Sequence, residues 1–115
     1  MMHASEDVSY NVVLTTLGSA EDARSLVRRL VTDRLVACGT IVENAFSIYE
    51  WQGQLEESHE VLVLLKTRKE LWDRLQAAVR ELHPYEVPEL LALPVEEGLH
   101  AYLEWLAEQT TQESK

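Results

Sequence analysis

The sequence predicts a single α+β domain with four strands and three helices. Apolar stretches with alternating or β-branched residues, typical of strands, are interspersed with stretches whose apolar residues recur every three to four positions, as in helices. A chain of 115 residues fits one domain, and we expect an ordered core over about residues 11–108 with polar tails at both ends. Hydrophobic residues make up 46% and charged residues 26%, which excludes a disordered or low-complexity chain.

The first half of the chain predicts a strand, a helix and a second, longer strand. Residues 12–17 are apolar or β-branched, as in a buried strand. Ser19 stands three residues before Asp22, the spacing of a capping box, so we predict a helix over about Ala20 to Arg34. From Gly39 to Trp51 the apolar residues alternate with polar ones, which predicts a long strand. The helix residues expected to face inward are Ala23, Leu26, Val27, Leu30 and Val31.

The central part of the chain predicts a hairpin followed by a second helix. Residues 52–54 contain a glycine suited to a turn, and Leu55 to Lys66 returns as the third strand. Thr67 and Glu70 repeat the capping-box spacing, which predicts a helix start. Pro84 is expected to end this helix, because the residue before a proline avoids the helical region.

The C-terminal part predicts a short strand and a last helix. A short strand is predicted over residues 87–95. It includes two prolines, which have no amide N–H, so the ends of the strand are poor in hydrogen-bond donors. A helix is predicted over about Gly98 to Glu108, and the residues from Thr110 to Lys115 form a polar tail that we expect to fray. The residues expected to face inward from the last helix are Leu99, Tyr102, Leu103 and Leu106.

The predicted order β-α-β-β-α-β-α is the ferredoxin-like arrangement with one added C-terminal helix. Hairpin strands of about a dozen residues would extend about 40 Å, whereas a helix of about 15 residues covers about 22 Å, so the long hairpin should overhang the helices. Every residue from Val61 to Leu65 is apolar. Because successive side chains of a strand point to opposite faces, this run indicates burial on both faces of the sheet. Since two crossover helices cover only one face, we expect other copies of the chain to cover the second.

The net charge of the chain limits the classes of partner that it is expected to bind. Twenty acidic residues against ten basic ones give a net charge of −10, and the excess lies on the hairpin and after Pro84. Such a chain repels phosphate backbones and anionic headgroups, so we expect no nucleic acid and no membrane among its partners, and we favour cations. Cys38 is the single cysteine, and the N-terminus lacks the pattern of a secretory signal, so a cytoplasmic location is expected.

The densest polar segment is His-Pro-Tyr-Glu-Val-Pro-Glu, residues 83–89. Its imidazole and carboxylates suit a borderline divalent ion, so His83 is a candidate metal ligand, and Cys38 would be a soft ligand for copper. The alternatives are that His83 caps the preceding helix, that Tyr85 lies at a subunit contact, and that Cys38 is a small core residue.

Aromatic residues on the hairpin form a second candidate site. Tyr49 and Trp51 share a strand face, Glu60 lies across the hairpin, and an interface or a ligand-binding wall are both consistent with this set. The chain contains no recognised nucleophile or phosphate-binding motif, so we expect no enzyme; acid–base chemistry by His83 and Lys66 is the weakest alternative.

Several motifs in this chain resemble the CutA divalent-ion tolerance family. They are the runs at residues 34–38, 47–53, 60–67, 83–89, 93–94 and 102–105, which together extend from about Val12 to Leu106. The resemblance implies a ferredoxin-like protomer in a homotrimer, with neighbouring hairpins joining edges, and a role in tolerance of divalent metals, copper especially. Copper-binding relatives can carry a cysteine where this chain has Thr15 and a second histidine where it has Leu82, so only His83 matches that site, and Cys38 is the other soft candidate ligand.

The resemblance and the residues together predict a trimeric divalent-cation-binding protein in which His83 is the first ligand. The alternative is a trimeric signalling or scaffold protein that binds a small molecule or a partner protein in clefts between subunits. The residues predicted to line such a cleft are Tyr49, Trp51, Glu60, Lys66, Tyr85, Glu89 and Trp105.

Overall fold

The structure, a computed structural model, describes residues 8–112 and confirms an α+β chain with one antiparallel sheet and three helices. A short 3-10 turn at Lys69–Leu71 precedes the second helix. In chain order the elements are β1 (Tyr10–Leu17), α1 (Ala20–Thr32), β2 (Cys38–Trp51), β3 (Gln54–Arg68), α2 (Trp72–Leu82), β4 (Leu91–Val95) and α3 (His100–Gln109).

The four strands lie in the order β2-β3-β1-β4, and each neighbouring pair is antiparallel. β1 pairs with β3 only from Val61 to Arg68, whereas β2 pairs with β3 as far as Trp51 and Gln54. The outer half of the hairpin therefore extends beyond β1, and the molecule measures 57 × 29 × 22 Å. The predicted overhang of the hairpin is confirmed.

Two backbone features shape the hairpin. The pairing register of β2 shifts between Val42 and Ala45, where Asn44 has a φ of 68°. At the tip, Gln52 and Gly53 have φ values of 52° and 80°, as two-residue hairpin turns require. The alternation of apolar and polar residues predicts the strand. The register shift between Val42 and Ala45 is a bulge, and no pattern in the sequence predicts it.

One face of the sheet is covered by α1 and α2. Because side chains of a strand alternate between faces, every second residue of β1 and β3 enters this core. Val13, Val63 and Leu65 are buried there against Leu30 of α1 and Leu75 of α2. The inward stripe predicted for α1 is confirmed except at Val31, which is exposed.

The second face of the sheet is only partly covered. α3 packs over one end, where Tyr10, Ala37 and Leu106 form a small buried cluster. Beyond it, the strands present a row of apolar side chains that are half-buried or exposed. These are Val12, Leu14, Val42, Leu62, Leu64, Leu91 and Leu93. Within one chain, the run from Val61 to Leu65 is therefore fully buried on only one of its two faces.

The first predicted helix cap is confirmed and the second is wrong. The amide of Asp22 donates to Ser19 Oγ at 3.1 Å, but the helix ends at Thr32 because Arg34 takes a left-handed conformation with φ 62°. Thr67 lies inside β3, where its hydroxyl donates to the carbonyl of Leu35 at 2.6 Å. That buried hydrogen bond commits Thr67 to the sheet, so the strand continues to Arg68 and the turn begins without a side-chain cap.

The C-terminal elements differ in their boundaries from those predicted. The last strand begins at Leu91 and not at residue 87, because Pro88 offers no amide donor for a ladder. In α3, Leu106 is buried and Leu103 is half-buried, as expected, whereas Tyr102 is exposed, and so is Leu99, which precedes the helix.

Two arginines fix the end of α3. Arg34 donates to the carbonyl of Gln109 at 3.1 Å, and Arg68 donates to the carbonyl and hydroxyl oxygens of Thr110 at 2.6 and 2.9 Å. Thr110 is buried, so the expectation that the frayed tail starts there is wrong. The tails predicted at residues 1–7 and 113–115 lie outside the described residues.

Candidate functional site

A cluster of polar side chains lies at the base of the projecting hairpin, and we call it the Glu60 cluster: Glu60, Ser47, Tyr49, Ser58 and Tyr85. Ser47 Oγ donates to a carboxylate oxygen of Glu60 at 2.7 Å, and the hydroxyls of Tyr49 and Ser58 are 3.2 Å apart. The antiparallel register places Tyr49 and Glu60 on one face, as the sequence predicts. The cluster joins three of the predicted site residues, Glu60, Tyr49 and Tyr85.

Tyr85 connects this cluster to the end of β1. A Cβ at Gly18 would lie 3.3 Å from the Tyr85 hydroxyl, so the phenol closely approaches the backbone between β1 and α1. Burial raises the pKa of Tyr85, and the nearby carboxylate of Glu60 raises it further. The hydroxyl therefore stays protonated at neutral pH and is available to donate to a carboxylate.

His83 follows α2 and is buried, with 6% of its surface exposed. Its Nε2–H donates to the carbonyl of Thr16 at 2.9 Å, and its Nδ1 accepts from the amide of Tyr85 at 3.2 Å. These bonds define one neutral tautomer. Burial lowers the pKa of His83, against the opposing effect of the Thr16 carbonyl. The side chain contacts β1, so it does not cap the carbonyls of α2.

Three other predicted site residues, Lys66, Cys38 and Trp105, lie at the far end of the sheet. Together with Thr40 and Tyr102 they form a group that we call the Lys66 cluster. Lys66 Nζ donates to Thr40 Oγ1 at 2.5 Å, and Cys38 lies opposite Lys66 in the β2–β3 register. The Cys38 sulfur is 3.8 Å from the Tyr102 hydroxyl, and the rings of Tyr102 and Trp105 are 5.6 Å apart. Burial raises the pKa of Tyr102, and Cys38 raises it further.

Within a single chain, five of the seven residues predicted to line one cleft divide between the Glu60 cluster and the Lys66 cluster. Trp51 is exposed at the tip of the hairpin, and Glu89 is exposed in the loop before β4. Sequence reasoning missed Ser47 and Ser58. Their alternation with Tyr49 on the predicted strands could have revealed them, but the bulge in β2 determines which residue each one faces.

The two candidate metal ligands lie far apart within one chain. His83 bonds to Thr16, which pairs with Leu62, whereas Cys38 pairs with Lys66, four residues further along β3. Four residues of strand span about 13 Å. Among residues 8–112, no three histidine, cysteine, aspartate or glutamate side chains are placed to hold a metal ion together.

No helix within the described part of the chain is long and apolar enough to cross a membrane.

The fold and the site define a small α+β protein with a projecting hairpin and a tyrosine-rich, acidic cluster at its base. The family model described as "CutA1 divalent ion tolerance protein" matches residues 11–109, and the chain belongs to this family. The resemblance drawn from the sequence motifs is confirmed. The family is named for ion tolerance and not for a reaction.

Relatives and solved structures agree with this assignment. The "Divalent-cation tolerance protein CutA" of Thermus thermophilus is 48% identical over 99 residues, covering 86% of this chain and 96% of that protein. The crystal structure of CutA1 from Oryza sativa is 37% identical, with a TM-score of 0.89, covering 92% of this chain and 97% of that one. The structure of the "Periplasmic divalent cation tolerance protein CutA" from Archaeoglobus fulgidus is 31% identical, with a TM-score of 0.86, covering 89% of this chain and 99% of that one.

Proposed function

We propose that the protein acts in tolerance of divalent cations, copper among them, as a homotrimer that binds the cation directly. The observation that carries the proposal is the family match over residues 11–109, which includes both ends of the sheet and the whole hairpin. The concentration of acidic residues on the hairpin and after Pro84 favours cations near the Glu60 cluster. The protomer is assigned to the ferredoxin-like class on its strand order, β2-β3-β1-β4.

The proposed assembly rests on the open second face of the sheet. Leu91 and Leu93 of β4 are 54% and 48% exposed, and they continue the row of half-buried leucines on β1 and β3. A contiguous apolar face of this kind is typical of a surface that another subunit covers. β4 and β2 are the edges of the sheet, so neighbouring copies can also add strands there.

A charge on this face should disrupt assembly. Leu93→Glu would bury a carboxylate between subunits, so we expect a smaller species in size-exclusion chromatography with light scattering. Val31→Glu, an equally large change at an exposed position of α1 on the opposite side of the sheet, is the matched control. Equal masses for both variants and the wild type would argue against this face as the interface.

His83 is proposed as the first ligand through its Nδ1 atom. Histidine ligands of metals usually donate their other ring N–H to a carbonyl or carboxylate, and His83 Nε2–H donates to Thr16 in this way. The lowered pKa keeps the ring neutral and able to bind. Nδ1 already accepts a long hydrogen bond from Tyr85, which a cation would displace. Residues 8–112 of one chain hold no group of three possible ligands, so water or a neighbouring subunit would complete the coordination, and the affinity should be modest. Cys38 is a proposed ligand only across a subunit contact.

Copper titration by calorimetry tests the role of His83 with two matched variants. His83→Gln places an amide near the Nε2 position and keeps a donor for Thr16, but it removes the Nδ1 lone pair. His83→Asn keeps a polar atom near Nδ1 and removes the donor to Thr16. We expect the Gln variant to lose the copper heat while remaining folded. Equal heats from the wild type and the Gln variant would remove His83 from the proposal.

A small-molecule site at the Glu60 cluster is the second candidate function. It is favoured by the convergence of Glu60, Tyr49 and Tyr85, which offers a carboxylate and two phenols at one point. Lys66, Trp51, Glu89 and Trp105 would join this site only from a neighbouring subunit. A thermal-shift screen without metals tests this alternative, because a ligand of the native state raises the unfolding temperature.

The proposed compartment is the cytoplasm. Support comes from the single cysteine, which cannot form a disulfide within the chain. The Archaeoglobus fulgidus relative is described as periplasmic, so the compartment is not uniform among relatives. Fractionation of the native host with an antibody against the chain would locate it.

A further inference from the structure

An open cleft of about 790 Å³ lies where β1 begins, β4 ends and α2 starts. Neither the Glu60 cluster nor the Lys66 cluster contributes to it. This volume falls in the range of sites that bind small molecules. Its walls combine the apolar side chains Trp72, Pro94 and Ala92 with charged and polar groups.

The cleft lies mainly on the helix-covered side of the sheet, away from the open second face. Asn11 pairs with Pro94 across β1 and β4, and it shares its face with Val13, which is buried under the helices. Trp72 and Ala92 pack against that same core. Covering of the second face by other subunits would therefore leave the cleft open, whereas a strand added at the β4 edge would border it.

The polar groups of the cleft include one that is almost fully buried. Asn11 is only 7% exposed, lines the cleft, and forms none of the side-chain hydrogen bonds found among residues 8–112. Its amide atoms are not among the fully buried polar atoms that lack a partner, so solvent or a ligand in the cleft can reach them. Its oxygen and nitrogen offer an acceptor and two donors to a molecule in the cleft.

Charges of opposite sign line the same cleft. Lys69 lies in the 3-10 turn beside Glu70, which pairs with Arg68, and Asp73 lies in the first turn of α2. An ammonium group would be attracted to Asp73, and a carboxylate to Lys69.

We infer that this cleft binds a small zwitterion with an apolar side chain, a molecule of the α-amino-acid class. The ammonium group pairs with Asp73, the carboxylate pairs with Lys69, and the apolar side chain packs on Trp72 and Pro94. The carboxamide of Asn11 bonds to the polar end of the ligand. This site is separate from the proposed cation site at His83.

Tryptophan fluorescence tests the inference, because Trp72 lines the cleft. The chain has three tryptophans, so Trp51→Phe with Trp105→Phe leaves Trp72 as the reporter. L-leucine is titrated to about 10 mM, beside 4-methylpentanoate, which lacks the ammonium group, and 3-methylbutylamine, which lacks the carboxylate. We expect saturable binding of leucine and about tenfold or weaker binding of each analogue, since each loses one charge-assisted interaction.

Substitutions on one helix turn provide matched variants. Asp73→Asn and Lys69→Gln should each weaken leucine binding by about tenfold, whereas Arg74→Gln, an exposed neighbour outside the cleft, should leave it unchanged. Absence of saturable binding, equal binding of both analogues, or equal effects of all three substitutions would overturn the inference. Copper binding by the same proteins is measured separately, so failure here leaves the His83 proposal intact.

Discussion

Thr15 and Thr67 provide a paired test of how the core of this protein is stabilised. Both threonines lie on the helix-covered face of the sheet, with 0% and 1% of their surfaces exposed. The hydroxyl of Thr15 has no hydrogen-bond partner among the described residues, whereas the hydroxyl of Thr67 donates to the carbonyl of Leu35 at 2.6 Å. The same substitution, threonine to valine, should therefore have opposite effects at the two positions.

The magnitudes follow from the hydrogen bonds. A buried hydroxyl without a partner costs about 1–3 kcal/mol, and Thr15→Val replaces it with a methyl group of similar volume beside Val63. We expect the free energy of unfolding to rise by about 1–2 kcal/mol. Thr67→Val removes a made hydrogen bond and leaves the Leu35 carbonyl without that donor, so we expect a loss of about 1–3 kcal/mol.

Urea unfolding of both variants measures these changes. The protein concentration must be fixed, since assembly shifts apparent stability by mass action. Changes of the same sign, or a loss of stability in Thr15→Val, would refute the assignment of Thr15 as an unsatisfied group. Unchanged slopes of the unfolding free energy against urea confirm that the folded states are alike.

Three further predictions concern other parts of the chain. Burial lowers the pKa of His83 below its usual 6.5, so as the pH falls below about 6.5 the unfolded chain binds a proton that the folded chain does not. The free energy of unfolding should therefore drop from pH 7 towards pH 5. Urea titrations at each pH measure this drop, and His83→Gln should make it smaller. A Cβ at Gly39 would lie 2.8 Å from Val27 Cγ1, so Gly39→Ala should lower the unfolding midpoint by an amount equivalent to about 1–3 kcal/mol, and a neutral result would contradict this packing. Arg34→Met removes the guanidinium from the end of α3, so amide exchange in α3 should quicken while α1 stays protected; equal changes in both helices would indicate a global effect instead.

The types of the elements were predictable because the strand-like alternation and the helix-like spacing of apolar residues fall in different segments of this chain. The alternation from Gly39 to Trp51 and the helical spacing of Ala23, Leu26 and Leu30 each have one interpretation, and Ser19 marks a helix start that the structure confirms. The Thr67 cap failed because a tertiary contact, the bond to Leu35, outweighs a local spacing rule. Only the fold brings Leu35 next to β3.

The site was less predictable because it depends on register and on other elements. Glu60 and Tyr49 could be placed on one face by counting, but Tyr85 reaches them only through the loop after α2 and the space above Gly18. His83 was singled out from its neighbours in sequence. Its bond to the carbonyl of Thr16 decides its tautomer, and nothing in the segment at residues 83–89 predicts that bond.

We propose above all that copies of this chain cover the open face of the sheet, which one chain leaves incomplete. Sedimentation equilibrium of the wild-type protein at micromolar concentration tests it most directly. For a chain of 13.2 kDa, we predict a single species of about 40 kDa, three times the mass of one chain. A species of 13.2 kDa across that concentration range would contradict it.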